Sequence, residues 1–239
     1  MVWAATEPSG ASRRMSLGRW TPGVNGLWDF LSTRRVQLAS DSWLHVSAVV
    51  QCVVIATVLA VGVGVLVHRS PAGSTVATAL ASAILTVPSF ALLGLLIPVL
   101  GLGVKPTVVA LVLYGLLPIV RNTIVGLQAV DPAVRDAARG IGMGRVSVLT
   151  RIELRLSWPS ILAGIRVSTQ LLMGIAAIAA YAKGPGLGTL IFFGLNGLGT
   201  PNGVNRALTG TVLVVVLALL LDGLLVLVGR LTTSKGLRA

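Results

Sequence analysis

Between Arg121 and Arg155 the chain sets six arginines against three acids, Asp131, Asp136 and Glu153, and punctuates them with Gly140, Gly142 and Gly144. These residue types suit docking rather than bond-making: guanidinium groups pair with acidic surfaces, and glycines let a backbone come close to a neighbour. The plainer reading of the same arginines is a solvated loop obeying the positive-inside rule, and composition leaves both open. Two more charges, Arg166 and Asp222, interrupt long apolar runs. A charge at bilayer depth costs roughly 2.5 to 3.5 kcal/mol on the insertion scale, so each must face protein, water or a partner. Nothing in the chain has the spacing of a catalytic constellation. There is no phosphate-cradling lysine motif, no pair of carboxylates on one face and no His/Cys cluster, so no catalytic residue, metal or cofactor is expected.

Local rules position the arginine-rich stretch, 131–159. Asp131 followed by Pro132 is a helix start, a carboxylate N-cap and then a proline at the first helical position, where its missing N–H costs nothing. A short helix is expected through Val134 to Arg139, ending at the glycines. A second is expected from near Arg145, ending before Pro159, because proline disfavours helix in the residue that precedes it. Two short helices with a close-approach joint would make a protrusion that fits a partner's groove.

The rest of the composition says what this protrusion is attached to. Of 239 residues 54% are hydrophobic and only 11% charged, with a mean hydropathy of +0.90; soluble domains carry about a quarter charged residues. The chain therefore reads as an all-α membrane protein. A net charge of +12 would suggest nucleic acid in a soluble domain. Here the basic residues flank apolar spans, where they serve topology and anionic lipid, so no nucleic-acid partner is expected. Cys52 is the single cysteine and lies inside an apolar run, so an internal disulfide is impossible. Arg13-Arg14 precedes Leu17-Gly18-Arg19-Trp20-Thr21-Pro22 rather than an apolar stretch, which speaks against a twin-arginine leader.

About five spans are expected within 44–229. Residues 1–43 are polar, irregular until about Val24, with Leu27, Trp28, Phe30, Leu31, Val36 and Leu38 able to form a short interfacial helix, a plain disordered tail being the other reading. Spans are placed at Leu44–Val67, at Val76–Val99 with an interruption at Pro88 and an end near Pro98, at Thr107–Val120, at Ser160–Ala182 and at Ala207–Gly229. The segment 183–206 is glycine-rich yet apolar at Leu190-Ile191-Phe192-Phe193, so a re-entrant hairpin or scoop packed on the spans is expected, followed at the other end by a cytoplasmic tail, 230–239. His45 and Cys52 read as packing residues. If the arginine-rich loop is cytoplasmic, ten Lys/Arg lie inside and five lie outside near the spans. That places the N-terminus outside and the C-terminus inside. Arg13, Arg14 and Arg19 pull the other way.

Arg166 and Asp222 each lie about seven residues, or ~10 Å, from the same end of antiparallel spans. They should pair directly or share one polar network; the alternative is that Arg166 snorkels to the interface and Asp222 is capped locally.

Asp136-Ala137-Ala138, then Gly142, then Ile152-Glu153-Leu154 resembles the EAA loop of binding-protein-dependent ABC importer permeases. That pattern is Glu-Ala-Ala, three residues, Gly, nine residues, Ile-x-Leu-Pro. Asp136 stands where Glu is usual and keeps the charge; Arg155 stands where Pro is usual. Thr86-Val87-Pro88-Ser89-Phe90-Ala91-Leu92, Leu96-Ile97-Pro98, Tyr114-Gly115-Leu116-Leu117-Pro118-Ile119-Val120-Arg121-Asn122-Thr123, Leu162-Ala163-Gly164-Ile165-Arg166, Gly186-Leu187-Gly188 and Leu217 to Asp222 resemble one branch, the permeases of the glycine betaine/carnitine/choline (osmoprotectant) importers.

The resemblance implies a type I importer (MetI-like) fold in the plasma membrane. It also implies cytoplasmic ATP-binding subunits, a second permease subunit and an extracytoplasmic substrate-binding protein. Under it Asp136, Ala137, Ala138, Gly142, Ile152 and Leu154 belong to coupling helices seated on the ATPase, and a side chain at Gly142 would hold the loop off its partner. Pro88, Ser89, Tyr114 and Asn122 are candidates to line the permeation path, with core packing as the other role open to each. A methionine or other amino-acid importer permease is the nearest alternative. An ion-coupled secondary transporter would need inverted repeats and more intramembrane ionisable groups.

Overall fold

A computed structural model describes residues 24–200 and 202–233. Among these, every regular element is helical, and four helices are long and apolar enough to cross a membrane; a bent pair raises the number to five. The elements in order are α1 (Val24–Val67), α2 (Pro71–Thr86), α3 (Ser89–Leu100), α4 (Val104–Gln128), α5 (Pro132–Gly140), α6 (Arg145–Val148), a π-helical turn (Leu149–Glu153), α7 (Leu154–Ile178), a 3-10 turn (Ala179–Ala182), α8 (Gly188–Asn196) and α9 (Gly203–Thr232).

The core is the meeting of α1, α4 and α7, through Val49, Cys52 and Ala56 of α1, Leu111, Tyr114 and Ile119 of α4, and Ile161, Leu172 and Met173 of α7. With lipid as apolar as the core itself, helices associate by close packing and interhelical hydrogen bonds. Both are present where α4 crosses α7. A Cβ on Gly164 would stand 2.7 Å from the Pro118 carbonyl oxygen, so only glycine lets the backbones approach this far. Ser160 donates to the Asn122 carbonyl at 2.9 Å and Ser168 to that of Gly115 at 2.9 Å.

The expected short interfacial helix is not a separate element. Residues 27–38 belong to α1, which continues for 44 residues, because no proline interrupts it and its apolar face finds a partner: Phe30 and Leu38 are buried against Leu190, with Leu213 beside them. Residues 1–23 and the segment 234–239 lie outside the described residues, as do Arg13, Arg14 and Arg19.

The break at Pro88 is sharper than an interruption. The chain turns by 93° between α2 and α3, and the Tyr114 hydroxyl donates to the Val87 carbonyl at the joint. Pro98, read as an end, lies inside α3, which continues to Leu100. The 183–206 segment folds as the short helix α8 and packs against α9.

The largest departure is at Pro159. The helix expected to stop before it runs on without a break from Arg145 through the π-helical turn to Ile178. Proline removes only the bond to the carbonyl four residues back, and a helix packed among others tolerates that loss. The preceding π-helical turn absorbs one extra residue, with the Leu154 amide bonded to the Leu149 carbonyl.

Candidate functional site

The arginine-rich end collects the C-termini of α1, α4 and α9, the N-termini of α2 and α7, and the two short helices. Asp131 caps α5 by accepting from the Ala133 amide at 2.8 Å, with Pro132 in the first turn, and the helix stops at Gly140. Gly142 turns the chain with φ +86°, a conformation L side chains rarely adopt. A Cβ there would meet nothing within 4 Å. Within this chain, then, the backbone and not crowding requires glycine. α6 follows at Arg145, where the spacing places it.

The quoted loop residues divide between two surfaces. Asp136, Ala137 and Gly142 are exposed, while Ala138 is buried. Asp136 pairs with Arg139 at 3.7 Å, an exposed i,i+3 contact of small energetic consequence. Ile152 lines a groove of about 790 Å³ together with Val134, Arg151, Arg155, Trp158 and Thr232. Leu154 instead packs against the main core. Ile141 and Val146 flank the glycine turn at 81% and 74% exposure. They sit among charged residues at the arginine-rich end, and this chain leaves both uncovered.

Glu153 is the residue that sequence reasoning passed over, treating it as the variable position of Ile-x-Leu. Its side chain is 0% exposed. Arg69 Nη2 donates to both carboxylate oxygens, at 3.3 and 3.1 Å, and Arg135 Nε stands 3.3 Å from Oε1. Burying a carboxylate is tolerable only with such pairing. His68 Nε2 is 3.9 Å from the carboxylate, but its ring hydrogen-bonds elsewhere: Nδ1 to the Val65 carbonyl at 2.8 Å, while Nε2 accepts from Arg69 Nε at 3.2 Å. We therefore take His68 as a spacer that orients Arg69. A signal was present in the sequence. An acid between arginines at the edge of a span, with His68-Arg69 at the same end of another, is the composition of a shared ion pair.

Arg166 and Asp222 meet where α7 packs on α9, both part-exposed, with Arg166 Nε and Nη2 each 2.8 Å from one carboxylate oxygen. Trp158 Nε1 donates to Thr232 Oγ1 at 2.7 Å one level nearer the arginine-rich end, so α7 and α9 run antiparallel in register.

The four path candidates do not form one surface. Pro88 is exposed and Ser89 half-buried at the α2–α3 joint. Tyr114 is 2% exposed and serves that joint from behind. Asn122 lies eight residues further along α4, about 12 Å, and donates to the Pro118 carbonyl at 2.8 Å.

Comparison with known proteins gives this geometry a family. Residues 53–234 match the family model for the binding-protein-dependent transport system inner membrane component. The glycine betaine/carnitine/choline transport system permease protein OpuCB of Bacillus subtilis (strain 168) is 36% identical over 215 residues, 90% of this chain and 97% of that one. The osmoprotectant import permease protein OsmW of Salmonella typhimurium is 38% identical over 206 residues, 84% of this chain and 94% of that one. An inward-facing structure of the MetNI methionine ABC transporter shares the fold with a TM-score of 0.69 at 20% identity, over 80% of this chain and 94% of that one. Sequence and fold agree, and this chain belongs to the family of binding-protein-dependent transport system inner membrane components.

Proposed function

We propose that this chain is the non-catalytic, membrane-spanning subunit of an ABC importer for osmoprotectants (glycine betaine, carnitine, choline or proline), driven by ATP hydrolysis in separate cytoplasmic subunits. The observation that carries the energy coupling is the uncovered apolar pair Ile141 and Val146 beside Gly142, in a loop otherwise rich in arginine. In this reading α5 and α6 seat on the ATP-binding subunit, and nucleotide-driven closure there biases the spans between inward and outward access. The substrate class is supported by relatives named for glycine betaine, carnitine and choline across nearly the whole chain. The likeness to the methionine transporter supports the fold alone. The remaining partners are a second permease subunit and an extracytoplasmic binding protein, with the N-terminus outside and the C-terminus inside.

Reconstitution with the cognate ATP-binding subunit and binding protein in proteoliposomes tests the substrate. Labelled glycine betaine, carnitine or choline should accumulate on ATP addition, and methionine should not. Methionine uptake with no quaternary-ammonium uptake would overturn the substrate assignment.

A further inference from the structure

We infer that Glu153 is a positioning residue that clamps α5 to the α1–α2 turn, so that displacement of the docking helices reaches α1 and α2 together with α7. The inference rests on the coupling role proposed above and adds where the motion goes.

One carboxylate holds four elements. Glu153 closes the π-helical turn that leads into α7, and an inserted residue of this kind re-aims the side chains around it. Arg69 reaches it from the α1–α2 turn with two hydrogen bonds. Arg135 reaches it from α5, while its Nη2 also donates to the Leu127 and Val130 carbonyls at the end of α4. A second layer continues from the same turn. Gln128 donates to the His68 carbonyl at 2.9 Å and to Ser74 Oγ at 3.3 Å, and Ser74 in turn donates to the Val67 carbonyl at 3.0 Å.

The electrostatics make this a clamp rather than a decoration. Two guanidinium groups converge on one buried carboxylate, so neutralising Glu153 leaves two like charges facing each other with no anion between them. The α5 end would then separate from the α1–α2 turn, and α5 would stay beside α7 only through α6 and the Val134 side of the groove. The two arms also differ. Arg69 makes a two-pronged contact, whereas Arg135 Nε approaches Oε1 as an ion pair without a directed hydrogen bond.

The test uses the assembled importer in proteoliposomes. Spin labels at Ala133 on α5 and Thr75 on α2, both exposed, report whether the two move as one. With Glu153 present, the distance between them should stay constant when ATP is added. In Glu153→Gln it should broaden, and uptake per ATP hydrolysed should fall about tenfold, within the usual range of coupling effects. Arg69→Gln, at a half-exposed position, should give the same broadening with a smaller loss and covers the case in which the Glu153 variant does not assemble. A label distance that changes with ATP in the unmodified clamp, or Glu153→Gln and Arg69→Gln variants with unaltered distances and uptake per ATP, would overturn the inference. Failure of the docking role itself reads out separately, as loss of disulfide formation between Ala137→Cys and the ATP-binding subunit in a chain that keeps Glu153.

Discussion

Arg166 on α7 and Asp222 on α9 form a two-pronged ion pair, each bond 2.8 Å long, within helices that otherwise present apolar surface. The pair fixes the depth at which α9 sits on α7. Removing Asp222 leaves the Arg166 charge without its carboxylate, and removing Arg166 leaves Asp222 with only its hydrogen bond to Gln170, whereas removing both leaves neither charge. Arg166→Leu and Asp222→Leu should therefore each lower the melting temperature and membrane yield more than the double variant does. Thermal unfolding of the four proteins in detergent measures this as a double-mutant cycle.

The positive φ at Gly142 separates two reasons for a glycine there. Asn tolerates a left-handed backbone better than other residues. Gly142→Asn should thus keep the turn and add only a side chain on the docking face, while Gly142→Asp adds a charge as well. Both should reach the membrane in normal amounts and lose uptake while ATP hydrolysis persists. Transport at the parent rate by Gly142→Asp would remove the turn from the coupling surface.

Tyr114 holds the Val87 carbonyl at the sharp α2–α3 joint. Tyr114→Phe keeps the ring and removes the donor to that carbonyl, at a cost of about 0.5–1.5 kcal/mol, the net worth of a typical hydrogen bond. Hydrogen exchange should rise at the amides of residues 87, 89 and 90, with little change in α4.

Close approach at the α4–α7 crossing makes Gly164 intolerant of bulk. Gly164→Val should destabilise the protein by about 1–3 kcal/mol, the usual range for overpacking. Because Gly174 on the same helix faces open space, Gly174→Ala serves as the control and should be close to neutral in the same unfolding assay.

How much of this was legible follows from the range of each interaction. Asp131, Pro132, Gly140 and Arg145 act over a few residues, and the helix boundaries they set are where local rules place them. Arg166 and Asp222 are 56 residues apart, yet charge in an apolar run is rare enough that equal depth alone suggests a pairing. Pro159 and the N-terminal stretch of α1 misled because tertiary packing outweighed local preference. A proline stayed inside a helix held by its neighbours, and Phe30 and Leu38 found a wall of protein. Glu153 was obscured differently. Its partner Arg69 is 84 residues away, and among many arginines no count of charges tells which one pairs with it.

The most direct test of the coupling role is a cross-link. In a Cys52→Ala background the chain has no other cysteine, and Ala137→Cys places one on the exposed face of α5. In the assembled importer, oxidation should join this cysteine to one introduced in the facing groove of the ATP-binding subunit, and an impermeant maleimide applied to intact cells should not reach it. Labelling of Ala137→Cys from the cell exterior, or an assembled complex that yields no cross-link at any groove position, would contradict the account.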